Sequence, residues 1–387
     1  MSKLGEEAAA WLTSRQDEME AHLAELVEVN SFAENVAGGN RVGAALKGLF
    51  AVSGLACEVV KSQRYADHMV FHSQGAGEPV ALLGHLDTVF PPGTFEGYRR
   101  DGELRRGPGV LDMKGGLVVM AYAVRALAAV GEPSSLPSLR IVVVSDEEVG
   151  SPEGQSVIRD AIAGCRAALV FESGRAHDAI ITCRKGTGMF SVTAQGVAAH
   201  AGNAHEQGKN AIWALAKFVD RAQALTDYAR GVTVNVGVIS GGRSKNTVPD
   251  HAQAQVDFRF LSPSDAQALE EKLRLAAVEA SQGVPGTRLT LAGGVSRAPL
   301  SRTETSLALL AEYAACARAS GLGDGEAPLC GGGSDASTAA AMGIPSIDGL
   351  GPRGKGFHTV EEHIEVSSLV PKAQALARFL GQPHAWR

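Results

Sequence analysis

"IVVVSDEEVGSPEG", residues 141–154, gives the clearest indication of the fold class and of a functional site. Four apolar residues with high strand propensity are followed by Ser145 and then by three consecutive carboxylates, Asp146, Glu147 and Glu148. The apolar run is typical of an interior strand, and the acidic triplet lies where that strand would end. Adjacent negative charges repel one another where solvent screens them incompletely, so we expect a positive group nearby.

The bulk composition is that of an ordinary globular protein. The 387 residues suffice for two domains, or for one large domain with an insertion, and a content of 45% hydrophobic and 20% charged residues predicts a sizeable core. A net charge of −6 argues against nucleic acid as the main partner. An anionic substrate would therefore need a local cluster of Arg or Lys.

The cysteines and the N-terminus predict a cytoplasmic enzyme. The five cysteines are scattered and form no CxxC pair, which favours free thiols in a reducing compartment. The first 30 residues contain acidic side chains throughout and no apolar stretch of signal-peptide length. No apolar run approaches the roughly 18 residues that a membrane span requires, so we expect no membrane partner.

Strands alternate with helices around the quoted stretch, which predicts an α/β domain with a largely parallel sheet and helices on both faces. The predicted strands are 56–60, 79–89, 139–146 and 167–173, and the predicted helices are 6–29 and 115–131. Ligands of such sheets bind at the C-terminal ends of the strands.

After Gly174 the pattern changes to half-exposed, alternating strands. The predicted elements are strand 189–197, helix 210–225, strands 232–242 and 251–260, helix 264–280 and strand 288–293. The order β-α-β-β-α-β predicts a four-stranded sheet with two helices on one face. The α/β character resumes with helices 304–320 and 367–380. We therefore expect one domain, 1–177 and 296–387, interrupted by a smaller α+β domain at 178–295.

Side chains typical of metal ligands follow several predicted strands and lie in two glycine-rich loops. They are His85 and Asp87 after "ALLG", Asp112 in "GPGVLDMKGG", Glu147 and Glu148 after "IVVVSD", Glu172 after "ALVF", and His358 in "GKGFHT". Two imidazoles and several carboxylates without a thiolate suit Zn²⁺, Mn²⁺ or Co²⁺. Two such cations would neutralise the acidic triplet. The simpler alternatives are a solvated loop for the triplet and a turn or helix-cap role for Asp87.

These motifs together resemble the M20 metallopeptidases, in particular the branch of glutamate carboxypeptidases and aminoacylases. The motifs are "GHLDTV" (84–89), "GPGVLDMKGG" (107–116), "SDEEVGS" (145–151), "FES" (171–173), "AHAG" (199–202), "GGGSDA" (331–336) and "FHT" (357–359). They occur in order over almost the whole chain, including the inserted domain.

The resemblance implies a site for two metal ions. His85, Asp112 and Glu172 would hold one ion, and Asp112 would bridge to a second ion held also by Glu148 and His358. Zn²⁺ is the expected metal, with Co²⁺ and Mn²⁺ as alternatives. The peptide bond between Asp112 and the following methionine would be cis.

The resemblance also implies catalytic roles. Asp87 would orient the imidazole of His85 from behind. Glu147 would be the general base, which accepts a proton from the attacking water and delivers it to the leaving nitrogen. His200, in "AHAG", would reach across a dimer interface and stabilise the oxyanion in the partner's site. By its chemistry alone, a single histidine of this kind is more often structural.

Candidate substrate-binding residues lie in the insert and near its end. They are Lys185, Asn246, Arg259, Arg297 and Gly333. Arginine binds a terminal carboxylate in a bidentate manner, but Arg259 could instead pair with Asp257. The stretch "GGGSDAS" lacks the Lys-Ser/Thr ending of a phosphate-binding loop, so a close backbone approach to the substrate at Gly333 is preferred. Lys185, with Arg184, could contact a γ-carboxylate.

The expected function is hydrolysis of an amide bond next to a free carboxylate. The products would include a C-terminal amino acid, with glutamate as the first candidate, released from a peptide or an N-acyl amino acid. An aminoacylase for apolar N-acyl amino acids is the alternative within hydrolases. A non-catalytic protein that binds metals or amino acids is the alternative from another class, although a base at position 147 argues against it. The resemblance also implies a homodimer formed through the inserted domain, and closure of that domain.

Overall fold

The computed structural model describes residues 2–52, 54–132 and 136–382. By contacts within the chain, it divides into two compact units. Unit 1 comprises Met1–Cys183, Arg302–Leu329 and Ser334–Arg387, and unit 2 comprises Arg184–Ser301 and Cys330–Gly333. We propose that the inserted domain expected at 178–295 corresponds to unit 2.

The helices of the described chain are α1 (Lys3–Leu12), α2 (Gln16–Val27), α3 (Val36–Leu49), α4 (Gly115–Val130), α5 (Gly154–Ile162), α6 (Ala211–Gln223), α7 (Pro263–Gln282), α8 (Glu304–Ala319), α9 (Ala336–Ala341) and α10 (Leu369–Leu380). The strands are β1 (Leu55–Val60), β2 (His68–Ser73), β3 (Val80–His85), β4 (Arg99–Asp101), β5 (Leu104–Arg106), β6 (Leu139–Val144), β7 (Ala167–Val170), β8 (Gly186–Gln195), β9 (Ala199–His200), β10 (Thr233–Gly241), β11 (Thr247–Val248), β12 (His251–Phe260), β13 (Arg288–Arg297), β14 (Ser346–Ile347), β15 (Gly354–Lys355) and β16 (His363–Glu365).

Unit 1 is built on a six-stranded mixed sheet with the order β1-β2-β6-β3-β7-β14 and with helices on both faces. The pairings β6–β3, β3–β7 and β7–β14 are parallel, whereas β1–β2 and β2–β6 are antiparallel. The prediction of a largely parallel α/β sheet is confirmed. All six residues of β3 are buried, as expected for a strand at the centre of such a sheet.

Helix α4 forms the centre of the core of unit 1, where it packs against α1 and α10. Within the described residues, the segment Val110–Val130 is long and apolar enough to cross a membrane. However, 78% of its most apolar window is buried inside the protein. The same apolarity is required of a helix enclosed on all sides by a protein core.

Unit 2 is a four-stranded antiparallel sheet with the order β10-β12-β8-β13. Helices α6 and α7 pack with this sheet into one hydrophobic core, in which Phe190, Phe218 and Phe258 are fully buried. The residues of β12 alternate between buried and more exposed positions, as the sequence pattern predicted. The β-α-β-β-α-β order predicted for this part of the chain is therefore confirmed.

Several elements differ from the predictions. The single helix expected at 6–29 is two helices, α1 and α2, which are interrupted at 13–15. Thr13 and Ser14 have low helix propensities because their hydroxyls compete for backbone hydrogen bonds, which explains the break. Helix α3, strand β2 and a small antiparallel sheet, β15-β16-β5-β4, were not predicted.

Candidate dinuclear metal centre

The central strands of unit 1 bring the candidate ligands to one edge of the sheet. His85 is the last residue of β3 and pairs in parallel with Val144, the last residue of β6, so the acidic triplet starts beside His85. Glu172 follows the neighbouring strand β7 by two residues. Asp112 precedes α4, and His358 lies in the turn between β15 and β16.

The side chains form two groups of potential metal ligands that share Asp112. In the first group, His85 Nε2 lies 3.4 Å from Asp112 Oδ1 and 3.5 Å from Glu172 Oε1. In the second group, His358 Nε2 lies 3.4 Å from Asp112 Oδ2 and 3.0 Å from Glu148 Oε2. The two oxygens of Asp112 thus face different groups, as a bridging carboxylate requires.

Burial and charge in these groups fit two divalent cations. His85 Nε2 and Asp112 Oδ1 are buried and have no hydrogen-bond partner within the described chain. Burial raises the pKa of Glu172 to about 8, and contact with the Asp112 and Glu148 carboxylates raises the pKa of His358 to about 10. Both pKa shifts arise because the negative charge of the buried carboxylates is not fully compensated by protein groups. Bound metal ions would compensate it.

Asp87 connects the histidine to the acidic triplet. Its Oδ1 lies 3.3 Å from His85 Nδ1. The same carboxylate accepts hydrogen bonds from the backbone N–H groups of Glu147, at 3.2 Å, and Glu148, at 3.0 Å. Asp87 is therefore placed to fix the imidazole, as the resemblance implies, and also to fix the backbone on which Glu147 and Glu148 stand.

The three carboxylates of the triplet have different surroundings. Asp146 is buried, and its Oδ2 accepts hydrogen bonds from the backbone N–H groups of Glu153 and Gly154, where α5 starts. Glu148 belongs to the second ligand group, and Glu147 lies between these two neighbours and is partly exposed. The repulsion expected from the sequence is reduced because the side chains of Asp146 and Glu148 have separate partners.

Glu362 is a site residue that sequence reasoning missed. It is fully buried and accepts hydrogen bonds from the backbone N–H groups of Gly109, Leu111 and Asp112, at 2.8–3.1 Å. The Asp112–Met113 peptide bond is cis, as the resemblance implies. Glu362 thus holds the irregular turn that presents Asp112.

Lys114, two residues after Asp112, is also fully buried. Its Nζ donates a hydrogen bond of 2.9 Å to the carbonyl of Val29, and burial lowers the pKa of its ammonium group to about 7. Lys114 therefore ties the turn before α4 to the end of the N-terminal helices.

Two of the candidate substrate-binding arginines lie on either side of Thr187 in the sheet of unit 2. Arg259 on β12 and Arg297 on β13 are both cross-strand partners of Thr187 on β8, so their side chains share one face. Arg297 is buried. Arg259 forms a two-point ion pair with Asp257, with distances of 2.8 and 2.6 Å, which is the alternative considered from the sequence.

The glycine loop 330–333 lies on this face of the sheet. A Cβ atom at Gly333 would lie 3.0 Å from Arg297 Cδ and 3.2 Å from Thr187 Cγ2, so the backbone passes close to the buried arginine. The Arg184 guanidinium donates to the carbonyl of Gly332, and Lys185 Nζ donates to the carbonyl of Gly231 at 2.7 Å. In unit 2, Arg184 thus supports the loop, while Lys185 reaches in another direction.

His200 and Asn246 are neighbours at the edge of unit 2. His200 pairs with Thr247, and the backbone carbonyl of Asn246 accepts a hydrogen bond from Ala201. His200 Nδ1 accepts from the backbone N–H groups of the two residues at 202 and 203, each at 3.1 Å. In a neutral imidazole with this arrangement, the proton is on Nε2, which is exposed with the side chain and able to donate.

Sequence comparisons with known proteins find a family model and several relatives that this chain resembles. Residues 182–282 match the family model of the M20 peptidase dimerisation domain. The chain is 27% identical to carboxypeptidase G2 of Pseudomonas sp. (strain RS-16), over 81% of this chain and 76% of the relative. It is 28% identical to succinyl-diaminopimelate desuccinylase of Burkholderia mallei (strain SAVP1), over 86% of this chain and 91% of the relative.

Solved structures share the fold over nearly the whole chain. A tripeptidase from Staphylococcus aureus superposes with a TM-score of 0.81 at 22% identity, covering 95% of this chain and 98% of that structure. An M20 family metallo-carboxypeptidase from Sulfolobus solfataricus gives a TM-score of 0.75 at 18% identity, covering 94% and 99%. Together, the matched dimerisation domain, the sequence relatives and the shared fold support an M20 family metallopeptidase.

Proposed function

We propose that this enzyme uses two divalent metal ions to hydrolyse an amide bond next to a free carboxylate, and that it releases a C-terminal amino acid. The observation that carries the proposal is the pair of ligand groups joined by Asp112, with Glu147 held beside them through Asp87. A protein that only binds metals would not need a partly exposed carboxylate at that position.

The metal ions would be held by His85, Asp112 and Glu172 and by Asp112, Glu148 and His358. When bound, they would polarise the scissile carbonyl and make water more acidic. Zn²⁺ is our proposed metal, because two imidazoles with carboxylates and no thiolate form its usual donor set at catalytic sites.

Glu147 would act as the general base and then as the general acid. Its carboxylate accepts a proton from water, whose oxygen attacks the amide carbonyl carbon. The carbon–nitrogen bond then breaks, and Glu147 delivers the proton to the departing nitrogen. The products are an acid and a free amino acid.

We propose that the inserted domain supplies substrate recognition and forms a homodimer. The matched dimerisation domain and the Nε2–H of His200, which is free to donate to an oxyanion, support this role. Arg297 and Arg259 share one face of the sheet and would bind the carboxylate of the leaving amino acid in a bidentate manner. For this, the Arg259 guanidinium would have to leave its ion pair with Asp257 and bind the substrate instead.

Asn246 and Gly333 would contact the substrate through polar and backbone atoms.

Glutamate is our proposed leaving amino acid. The resemblance of "HLDTVFPPGTF" and "GGGSDAS" to the glutamate carboxypeptidases supports this choice. An aminoacylase that releases apolar amino acids remains the second candidate, because Lys185 Nζ is engaged by the carbonyl of Gly231 rather than directed to a second carboxylate. The absence of disulfides among the five cysteines supports a reducing, cytoplasmic location.

The test is hydrolysis of a panel of N-acyl amino acids and dipeptides after reconstitution with Zn²⁺, Co²⁺ or Mn²⁺. We expect release of glutamate to exceed release of apolar amino acids, and chelation to abolish turnover. In Glu147→Ala, we expect retained metal and a loss of kcat of at least about a hundredfold, because the base is removed. No turnover of any substrate with any metal would contradict the proposal.

A further inference from the structure

A cavity of about 820 Å³ lies in unit 1 beside the metal centre. It is bounded by the segment after β7 and by the segment that leads into β15. Three of its lining residues, Leu111, Ser173 and Phe357, are each the chain neighbour of a proposed metal ligand. The cavity therefore adjoins the segments that carry Asp112, Glu172 and His358, and its volume is typical of a small-molecule site.

Part of the charge around the cavity is neutralised by ion pairs. Arg353 lies 2.8 Å from Asp178 and 2.9 Å from Glu365, and Lys372 lies 3.3 Å from the other oxygen of Asp178. These two cations and two carboxylates form one network, of which Asp178, Arg353 and Glu365 line the cavity. The network as a whole has no net charge with which to attract a charged ligand.

Arg175 and Lys355 are the cations that this network does not neutralise. Both line the cavity, and neither forms an ion pair with a described residue. The Nε of Arg175 is buried and has no hydrogen-bond partner, and its guanidinium lies 5.7 Å from the centre of the Phe357 ring. A buried, unpaired donor of this kind is costly unless an acceptor binds it.

The backbone of the cavity wall is strained. His177 and Asp178 have positive φ angles of 57° and 56°, although neither is glycine. His358, next to the lining residue Phe357, has a φ of 62°. Such conformations persist where the surrounding structure enforces them, and they concentrate at ligand sites.

We propose that this cavity receives the acyl end of the substrate, and that Arg175 and Lys355 select acyl groups that carry a carboxylate. The inference rests on the proposed function, hydrolysis of an amide bond next to a free carboxylate. The planar guanidinium of Arg175 suits a carboxylate, and Lys355, exposed at the rim, adds a second positive charge.

The test compares three substrates that share one leaving amino acid, glutamate or the one preferred in the panel. Their acyl groups are succinyl, butyryl and 4-aminobutyryl, which are similar in length but anionic, neutral and cationic. For the wild-type enzyme we expect kcat/KM to favour succinyl over butyryl by about tenfold or more, the value of one charge-assisted hydrogen bond.

Substitutions should change this preference without removing catalysis. We expect Arg175→Ala to abolish the preference for succinyl, and Lys355→Glu to reduce it and to improve turnover of the 4-aminobutyryl substrate. Lys3→Glu, which makes the same charge change at a side chain that is 90% exposed on α1, should leave all three ratios unchanged. Equal turnover of succinyl and butyryl substrates by the wild-type enzyme would overturn the inference while the proposed function stands.

A binding measurement distinguishes failure of the proposed function from failure of carboxylate selection by the cavity. If no N-acyl amino acid is hydrolysed, the proposed function fails, and the cavity is then tested by calorimetry with succinate and butyrate on the metal-loaded protein. Tighter binding of succinate that is lost in Arg175→Ala would support carboxylate selection. Equal binding of the two acids would overturn it.

Discussion

Asp87 shows how one carboxylate can position three residues of a site. It contacts the imidazole of His85 and accepts the backbone N–H groups of Glu147 and Glu148. We expect Asp87→Asn to lower kcat and metal affinity by about 10- to 100-fold each, the usual effect of removing the group that orients a metal-binding histidine. Metal content after dialysis and steady-state kinetics measure the two effects. A change in KM alone would contradict this role.

Glu362 and Glu361 form a matched pair for testing how the turn at Asp112 is held. Glu362 is buried and accepts three backbone N–H groups, whereas Glu361 has an exposed side chain beside Arg106. An amide at position 362 would place an NH₂ group against one of these donors. We expect Glu362→Gln to lower the free energy of unfolding by about 1–3 kcal/mol and to weaken metal binding.

Denaturant unfolding and metal titration of both variants provide the measurement. Glu361→Gln should change stability by less than about 0.5 kcal/mol, as is usual for exposed positions. Equal effects of the two substitutions would show that Glu362 does not hold the turn.

At the residue scale, the sequence predicted the candidate ligands and the supporting residue Asp87, but it missed the supporting residue Glu362. His85, Glu148 and Glu172 could be identified because the C-terminal strand ends of a parallel sheet meet at one edge. Glu362 could not, since nothing in "EEH" distinguishes it from Glu361 before the fold buries one of them. For Arg259, the ion pair with Asp257 was considered from their spacing, and the structure contains it.

Helix α4 illustrates how element packing positions the site. Gly116, in its first turn, faces the end of β7, and a Cβ atom there would lie 2.1 Å from the carbonyl oxygen of Phe171. A methyl group would therefore push α4 away from the strand that precedes Glu172. Gly48 in α3 is also helical, but a Cβ atom there would meet no atom within 4 Å.

We expect opposite results for alanine at these two glycines. Gly48→Ala should raise the free energy of unfolding by about 0.4–1 kcal/mol, because alanine favours the helix and restricts the unfolded chain. Gly116→Ala should lower it by about 1–3 kcal/mol, the usual cost of overpacking, and should reduce metal affinity. Thermal and denaturant unfolding show whether each substitution raises or lowers the free energy of unfolding. Stabilisation by both substitutions would mean that α4 can shift without cost.

Prediction of elements succeeded where one pattern ran without interruption. The apolar runs of β3 and β6 and the alternation in β12 predicted their strands directly. Strand β2 was missed because histidines at 68 and 72 interrupt its apolar run. The break between α1 and α2 was missed because the apolar periodicity continues across it, although the polar residues at 13 and 14 favour a helix end.

At the scale of the whole molecule, both ligand groups found among the described residues lie in unit 1. A ligand that binds only the folded state stabilises the part of the protein that contains its site. At a metal concentration about 100 times Kd, the expected stabilisation is about 2.7 kcal/mol per site. Unit 2 has its own hydrophobic core and should gain none of this directly.

This asymmetry predicts the calorimetric behaviour of the enzyme. If the two cores unfold in separate transitions, added Zn²⁺ should raise the midpoint of one and leave the other unchanged, and a chelator should reverse the shift. Asp112→Asn, which alters the carboxylate shared by both ligand groups, should abolish the shift while the metal-independent transition keeps its midpoint. A single transition that rises with metal would show that the cores unfold together, and an unchanged scan of the wild-type protein would contradict metal binding at this centre.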